Sequence, residues 1–191
     1  MTDNMFYKTL SPISFLDRSA EVYPDKPALS YGDITYTYQD FYDRVNKLAG
    51  ALLKEGVKKG DRVGFLVPNI PAMFEGHYGP LKIGAVLVAI NTRLSAREVS
   101  YILNHSGAKV LVFDSEYAEL INQIKNELPE ITSFVQVADT FPKSSLVEGP
   151  EYEEFLNSAD PGEHRIPLES ESDPVTINYT SGTTGMPKGV L

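Results

Sequence analysis

The residues best suited to chemistry lie close to the end of the sequence: Thr180-Ser181-Gly182-Thr183-Thr184-Gly185-Met186-Pro187-Lys188-Gly189. Three glycines let a backbone turn several N–H groups to one side and approach a ligand closely. Four hydroxyls add further hydrogen-bond donors, and Lys188 adds a point charge, a combination that suits the oxygens of a polyphosphate. The order of residues is not that of a Walker loop, which would need glycine at Pro187 and a hydroxyl residue at Gly189. Composition alone would read such a stretch equally well as a turn between two strands.

Other chemistry is less well supplied. The chain has no cysteine, which excludes a disulfide framework, a thiolate nucleophile and a cysteine–zinc site. His77, His105 and His164 stand far apart and read as helix or loop residues, so no metal site is expected. No serine has a histidine and an acid in a recognisable triad order, and no catalytic residue is assigned. Asn91-Thr92-Arg93-Leu94 follows a strand end, where α/β proteins bind ligands, but Arg93 reads more simply as a loop-capping residue. Tyr31, Tyr36, Tyr38, Phe41 and Tyr42 read as core and hairpin packing.

The elements that must position the loop alternate along the chain. A helix over Phe15–Val22 is followed by a hairpin over Ala28–Thr37 turning at Gly32-Asp33. Thr37 and Asp40 open a helix carrying Phe41, Val45, Leu48 and Leu52 on one face, closed by Gly56. Strands are expected over Arg62–Val67, Val86–Ile90, Lys109–Phe113, Phe134–Val137 and Pro174–Tyr179. Helices are expected over Ile70–Ile83, kinked at Gly79-Pro80, from Ser95 to His105, and along Tyr117–Leu128. Apolar strands alternating with helices predict an α/β fold, a mostly parallel sheet covered by helices on both faces.

Charge is concentrated. Of 26 acids and 17 bases, nine acids and a single base, Arg165, fall between residues 148 and 173. With its prolines and glycines this stretch reads as a solvated linker, pinned to the body by Tyr152, Phe155 and Leu156. The division that follows is an α/β unit over 1–138, an acidic linker over 139–172, and a strand and loop over 173–191. The remainder is nearly neutral, so nucleic-acid binding through bulk charge is not expected. The longest apolar run, Ile83–Ile90, is too short to span a bilayer, and the first residues lack a secretory pattern. A cytoplasmic location is the expectation.

The ordered ten-residue loop resembles the phosphate-binding loop of the adenylate-forming enzymes, which include acyl-CoA synthetases, luciferases and adenylation domains of peptide synthetases. "FLDRSAEVYPDKPAL" near the start, "GVKKGDRVGFLVPN" at 56–69, "GAVLVAINTRL" at 84–94 and "ILNHSGAKVLVFD" at 102–114 resemble the family's N-terminal region in order. "YEEFLNSADPG" at 152–162 leans toward the fatty-acid–CoA ligase branch. The resemblance implies that a carboxylate attacks the α-phosphate of ATP and that coenzyme A then takes the acyl group. It implies Mg²⁺ accompanying ATP, and Thr180, Ser181, Gly182, Thr183, Thr184 and Lys188 on the departing phosphates, with Gly185 and Pro187 shaping the loop. The family's adenine and Mg²⁺ motif, its ribose-binding aspartate and its C-terminal lysine lie downstream of this loop and have no counterpart here. The chain is therefore expected to be the N-terminal portion of such an enzyme, inactive in ATP–pyrophosphate exchange alone and prone to self-association. Residues 180–191 are expected to lack strand partners and to exchange amide hydrogens readily. Another adenylating branch, and a non-catalytic α/β binding module, are the competing readings.

Overall fold

A computed structural model describes residues 10–160, 162–180 and 187–191. The chain opens with α1 (Pro12–Val22), the hairpin β1 (Pro27–Tyr31) and β2 (Ile34–Thr37), and the long α2 (Tyr38–Lys54). It continues through β3 (Arg62–Leu66), α3 (Pro71–Gly76), α4 (Gly79–Lys82), β4 (Val86–Ala89), α5 (Ala96–Ser106) and β5 (Ala108–Asp114). Then come α6 (Ala118–Ile124), β6 (Ser133–Val137), α7 (Tyr152–Asn157), β7 (Thr176–Thr180) and β8 (Lys188–Val190).

The main sheet has the order β6-β5-β3-β4-β7-β8, parallel throughout except for β8. Side chains alternate between its faces, as the two-residue period of a strand requires. Val63, Phe65, Val110 and Val112 pack under α2, α3 and α7, whereas Leu66, Leu111 and Phe113 pack under α5 and α6. The sheet is thus covered on both faces, as its nearly all-apolar strands require.

Capping fixes where the helices begin. The Thr37 hydroxyl accepts from the Asp40 N–H, and the Asp40 carboxylate accepts from the Thr37 N–H, so two otherwise orphaned donors are satisfied. Ser95 and Glu98 repeat the arrangement at α5. Hydrogen bonds from Thr37 hold the Asp40 carboxyl below its ordinary value of 3.8. A folded-state value below the unfolded one stabilises above pH 3.8 and ceases to as pH falls through the folded value. Thr37→Ala is expected to cost about 1 kcal/mol at pH 7. The difference from the parent should shrink in acid, and urea unfolding at pH 7 and pH 3 measures both.

At the end of α5, Gly107 takes a left-handed conformation (φ +64°), and Arg62 at the start of β3 reaches across to it. Its guanidinium donates to the carbonyls of Ser106 (2.5 Å) and Gly107 (3.0 Å), satisfying acceptors that the helix end leaves free.

Two expectations need correction. The single helix over Ile70–Ile83 is two helices, because α3 ends at Gly76 and Pro80 falls in the first turn of α4. Proline lacks the N–H that a helix interior needs, so it starts the second helix rather than kinking the first. Residues 188–190, expected to lack strand partners, form β8 and pair antiparallel with β7. A local antiparallel return supplies backbone partners that a reading of parallel strands alone does not anticipate.

The acidic stretch is tied to the body. Tyr152, Phe155 and Leu156 are buried on the α2 side of the sheet. Glu153 pairs with Arg44, Glu163 approaches Lys82 (3.8 Å), Arg165 pairs with Asp17 (2.7 Å), and Lys59 pairs with Glu169 (2.9 Å). Beneath it lies a buried polar group. Arg44 Nε donates to Glu75 Oε1 (2.5 Å), and the Tyr152 hydroxyl donates to Glu75 Oε2 (2.7 Å). Glu75 is fully enclosed. Burial pushes its carboxyl up, while hydrogen bonds from Arg44 and Tyr152 oppose that. Lys82 is also buried: its ammonium donates to Asn46 and lies 3.9 Å from the centre of the Tyr42 ring, and burial lowers its pKa.

Candidate phosphate-binding site

The parallel strands β3, β4, β5, β6 and β7 share one direction, so their carboxyl ends open on one edge of the sheet, where open α/β sheets take ligands. A hollow of about 420 Å³ lies there, lined by Val67, Pro68, Asn69, Met73, Ala89, Ile90, Asn91 and Thr92. Within it the Asn91 side chain accepts from the Arg93 N–H (3.0 Å), turning the chain away from β4. Arg93 is an exposed loop residue.

Strand β7 lies beside β4 with Ala89 opposite Asn178, which brings Thr180 to the same edge of the sheet as this hollow. Strand β8 returns along β7 with Thr180 opposite Lys188, Tyr179 opposite Gly189 and Asn178 opposite Val190. Thr180 and Lys188 are exposed and are cross-strand neighbours, so a hydroxyl and an ammonium stand side by side facing solvent. Of the residues singled out from sequence, these two are brought together. Ser181, Gly182, Thr183, Thr184 and Gly185 lie outside the described residues.

The opposite face of the hairpin is packed. Ile177 and Tyr179 lie against the cluster formed by α5 and α6. The Tyr179 hydroxyl is hydrogen-bonded to His105 Nδ1 (2.8 Å), and Tyr101 stacks on the His105 ring (centroids 5.3 Å apart). In sequence His105 reads as a helix or loop residue, and no local signal links it to a tyrosine 74 positions away.

Among the described residues, no group of three or more His, Asp or Glu side chains is placed to hold a metal ion. They do not assemble a carboxylate cage for Mg²⁺. No helix among them is long and apolar enough to cross a membrane.

Known proteins share this arrangement. Residues 16–191 match the family described as AMP-binding enzyme. The peroxisomal butyrate–CoA ligase of Arabidopsis thaliana is 37% identical over 193 aligned residues, covering 95% of this chain and 34% of that ligase. A 4-hydroxybutyrate–CoA ligase of Metallosphaera sedula is 36% identical, covering 97% of this chain and 34% of the ligase. Among solved structures, an anthranilate–CoA ligase in complex with anthranoyl-AMP superposes with a TM-score of 0.87 and 28% identity, over 95% of this chain and 34% of that one. The chain spans about a third of the length of these relatives. A parallel sheet covered by helices on both faces and closed by the antiparallel pair β7 and β8, matched over nearly its whole length by CoA ligases, places this chain in the AMP-binding enzyme family.

Proposed function

We propose that this chain is the N-terminal, phosphate-loop-bearing part of an AMP-forming acid–thiol ligase that activates a fatty acid in the cytoplasm. The carboxylate oxygen attacks the α-phosphorus of ATP, the bond to the bridging oxygen breaks, and pyrophosphate leaves with its electron pair. The sulfur of coenzyme A then attacks the acyl carbonyl, AMP leaves, and the thiol proton passes to solvent. In this reading Thr180 and Lys188, with Ser181, Gly182, Thr183, Thr184 and Gly185 between them in sequence, hold the β- and γ-phosphate oxygens. Lys188 counters charge that grows on pyrophosphate as it departs, and the hydroxyls and N–H groups fix its direction of departure.

The observation that carries the proposal is the cross-strand pairing of exposed Thr180 with exposed Lys188 at the carboxyl edge of the sheet. Mg²⁺ would arrive with ATP and share in neutralising the phosphates. A short-chain or aryl acid is the second reading, favoured by the butyrate, 4-hydroxybutyrate and anthranilate named for the relatives.

Hydroxylamine trapping of the acyl-adenylate separates these readings. The ligase carrying this chain at its N-terminus is assayed with butyrate, octanoate, palmitate and benzoate. Hydroxamate with octanoate or palmitate is expected. Hydroxamate from butyrate or benzoate alone would shift the substrate to the second reading, and none from any acid would overturn adenylation. The 191-residue chain alone is expected to form none.

A further inference from the structure

We propose that His105, through Tyr179, locks the strand register that sets Lys188 opposite Thr180. Three observations converge on that hairpin. The Tyr179 hydroxyl and His105 Nδ1 are 2.8 Å apart, and His105 is held from its other side by the stacked Tyr101 ring. Tyr179 is paired with Gly189, and a Cβ built at Gly189 would lie 3.2 Å from the Tyr179 ring and 3.1 Å from Ile177 Cγ2. Glycine at this position therefore leaves room for the tyrosine ring beside strand β8 while its hydroxyl reaches α5.

The consequence follows from strand geometry. Tyr179 and Gly189 occupy the face that packs on α5, while Thr180 and Lys188 occupy the other. A slip of one residue would move Lys188 onto the packed face and out of reach of any ligand beside Thr180. The pairing itself is short, with three residue pairs, so its backbone alone specifies register weakly. His105 is thus a positioning residue that acts through Tyr179 and touches no substrate. Only the consequence for phosphate binding rests on the functional reading above; the register lock stands on the packing.

The absence of cysteine allows a direct test. Asn178→Cys with Val190→Cys places two thiols on exposed, directly opposed positions, so their oxidation to a disulfide by copper phenanthroline reports native register. In the 191-residue chain the crosslinking rate should fall about fivefold when His105→Leu and Tyr179→Phe are added, the loss of one hydrogen bond. His105→Gln with Tyr179 kept, which retains both hydrogen-bonding groups, should preserve most of the parental rate. An unchanged rate in His105→Leu/Tyr179→Phe overturns the lock. A loss of circular dichroism in that variant would show unfolding instead, and Tyr179→Phe alone, which keeps the ring, then decides the matter by the same rate.

In the ligase carrying this chain, His105→Leu should raise KM for ATP at least threefold with kcat for the thioester step changed less, an effect the glutamine variant should not share. A drop in thermal stability with no change in KM would mean a structural role only. A ligase that forms no adenylate would remove the phosphate-loop reading while the crosslinking result still decides the register.

Discussion

Arg44→Met is expected to destabilise the folded chain by about 3–5 kcal/mol, because it strands a buried carboxylate without its cation. Glu75 is fully enclosed, and its two oxygens are held by Arg44 and by the Tyr152 hydroxyl. Arg44 also forks to Glu153 through both terminal nitrogens, at 2.5 and 3.0 Å, so one guanidinium joins α2 to α3 and α7. Domains of this size are commonly stable by about 5–15 kcal/mol, so the loss would be a large share of the total. The pH dependence has a definite sign. Without Arg44, burial raises the Glu75 carboxyl further above its ordinary value of 4.5. A raised folded-state value contributes stability below the unfolded one and loses it as pH rises through the folded one. The deficit of Arg44→Met should therefore be largest at neutral pH and should narrow toward pH 4. Adding Glu75→Gln should recover most of the loss, since both charges are then gone and the Tyr152 hydroxyl keeps an acceptor. Urea unfolding of the parent and both variants measures this; a cost below about 1 kcal/mol for Arg44→Met would mean that water reaches Glu75 and replaces its partner.

Lys188→Ala is expected to lower the adenylation rate of the ligase by about 10²–10³-fold, the usual cost of removing one preorganised group from developing charge. Because Lys188 is exposed at the end of an edge strand, thermal stability should scarcely change. Lys188→Arg keeps the charge while altering its shape, and should retain more activity than alanine. Pre-steady-state measurement of adenylate formation, with melting curves on the same preparations, separates a catalytic loss from an unfolded protein.

Much of the fold is legible in local pattern. The capping pairs Thr37/Asp40 and Ser95/Glu98 are read directly from residue type and spacing, and both form in the structure. The apolar runs at Arg62–Leu66, Val86–Ala89 and Ala108–Asp114 are strands because each is buried on both faces, which leaves no polar alternation. Long-range charge pairing is not legible in the same way. Glu153 meets Arg44 across 109 residues, and nothing near either residue distinguishes a paired charge from a solvated one. For the same reason the burial of Glu75 and Lys82 is not legible locally, because their partners Arg44, Tyr152 and Asn46 lie at least 31 positions away.

The site divides similarly. Residue types between Thr180 and Gly189 suit phosphate oxygens, as the proposed function requires, whereas the pairing of Thr180 with Lys188 needs the return of β8, which a glycine- and threonine-rich sequence does not advertise. His105 belongs to the same class. Its partner Tyr179 is a neighbour only after α5 has packed across the sheet beside β7.

The central claim is that Lys188 and Thr180 hold the phosphates of ATP while a carboxylate displaces pyrophosphate. Fatty-acid-dependent exchange of labelled pyrophosphate into ATP, catalysed by the ligase carrying this chain, measures that step without reference to coenzyme A. Exchange that requires the acid and falls at least a hundredfold in Lys188→Ala is the predicted result. Exchange that persists at the parental rate in Lys188→Ala would contradict it, as would no acid-dependent exchange in the parent.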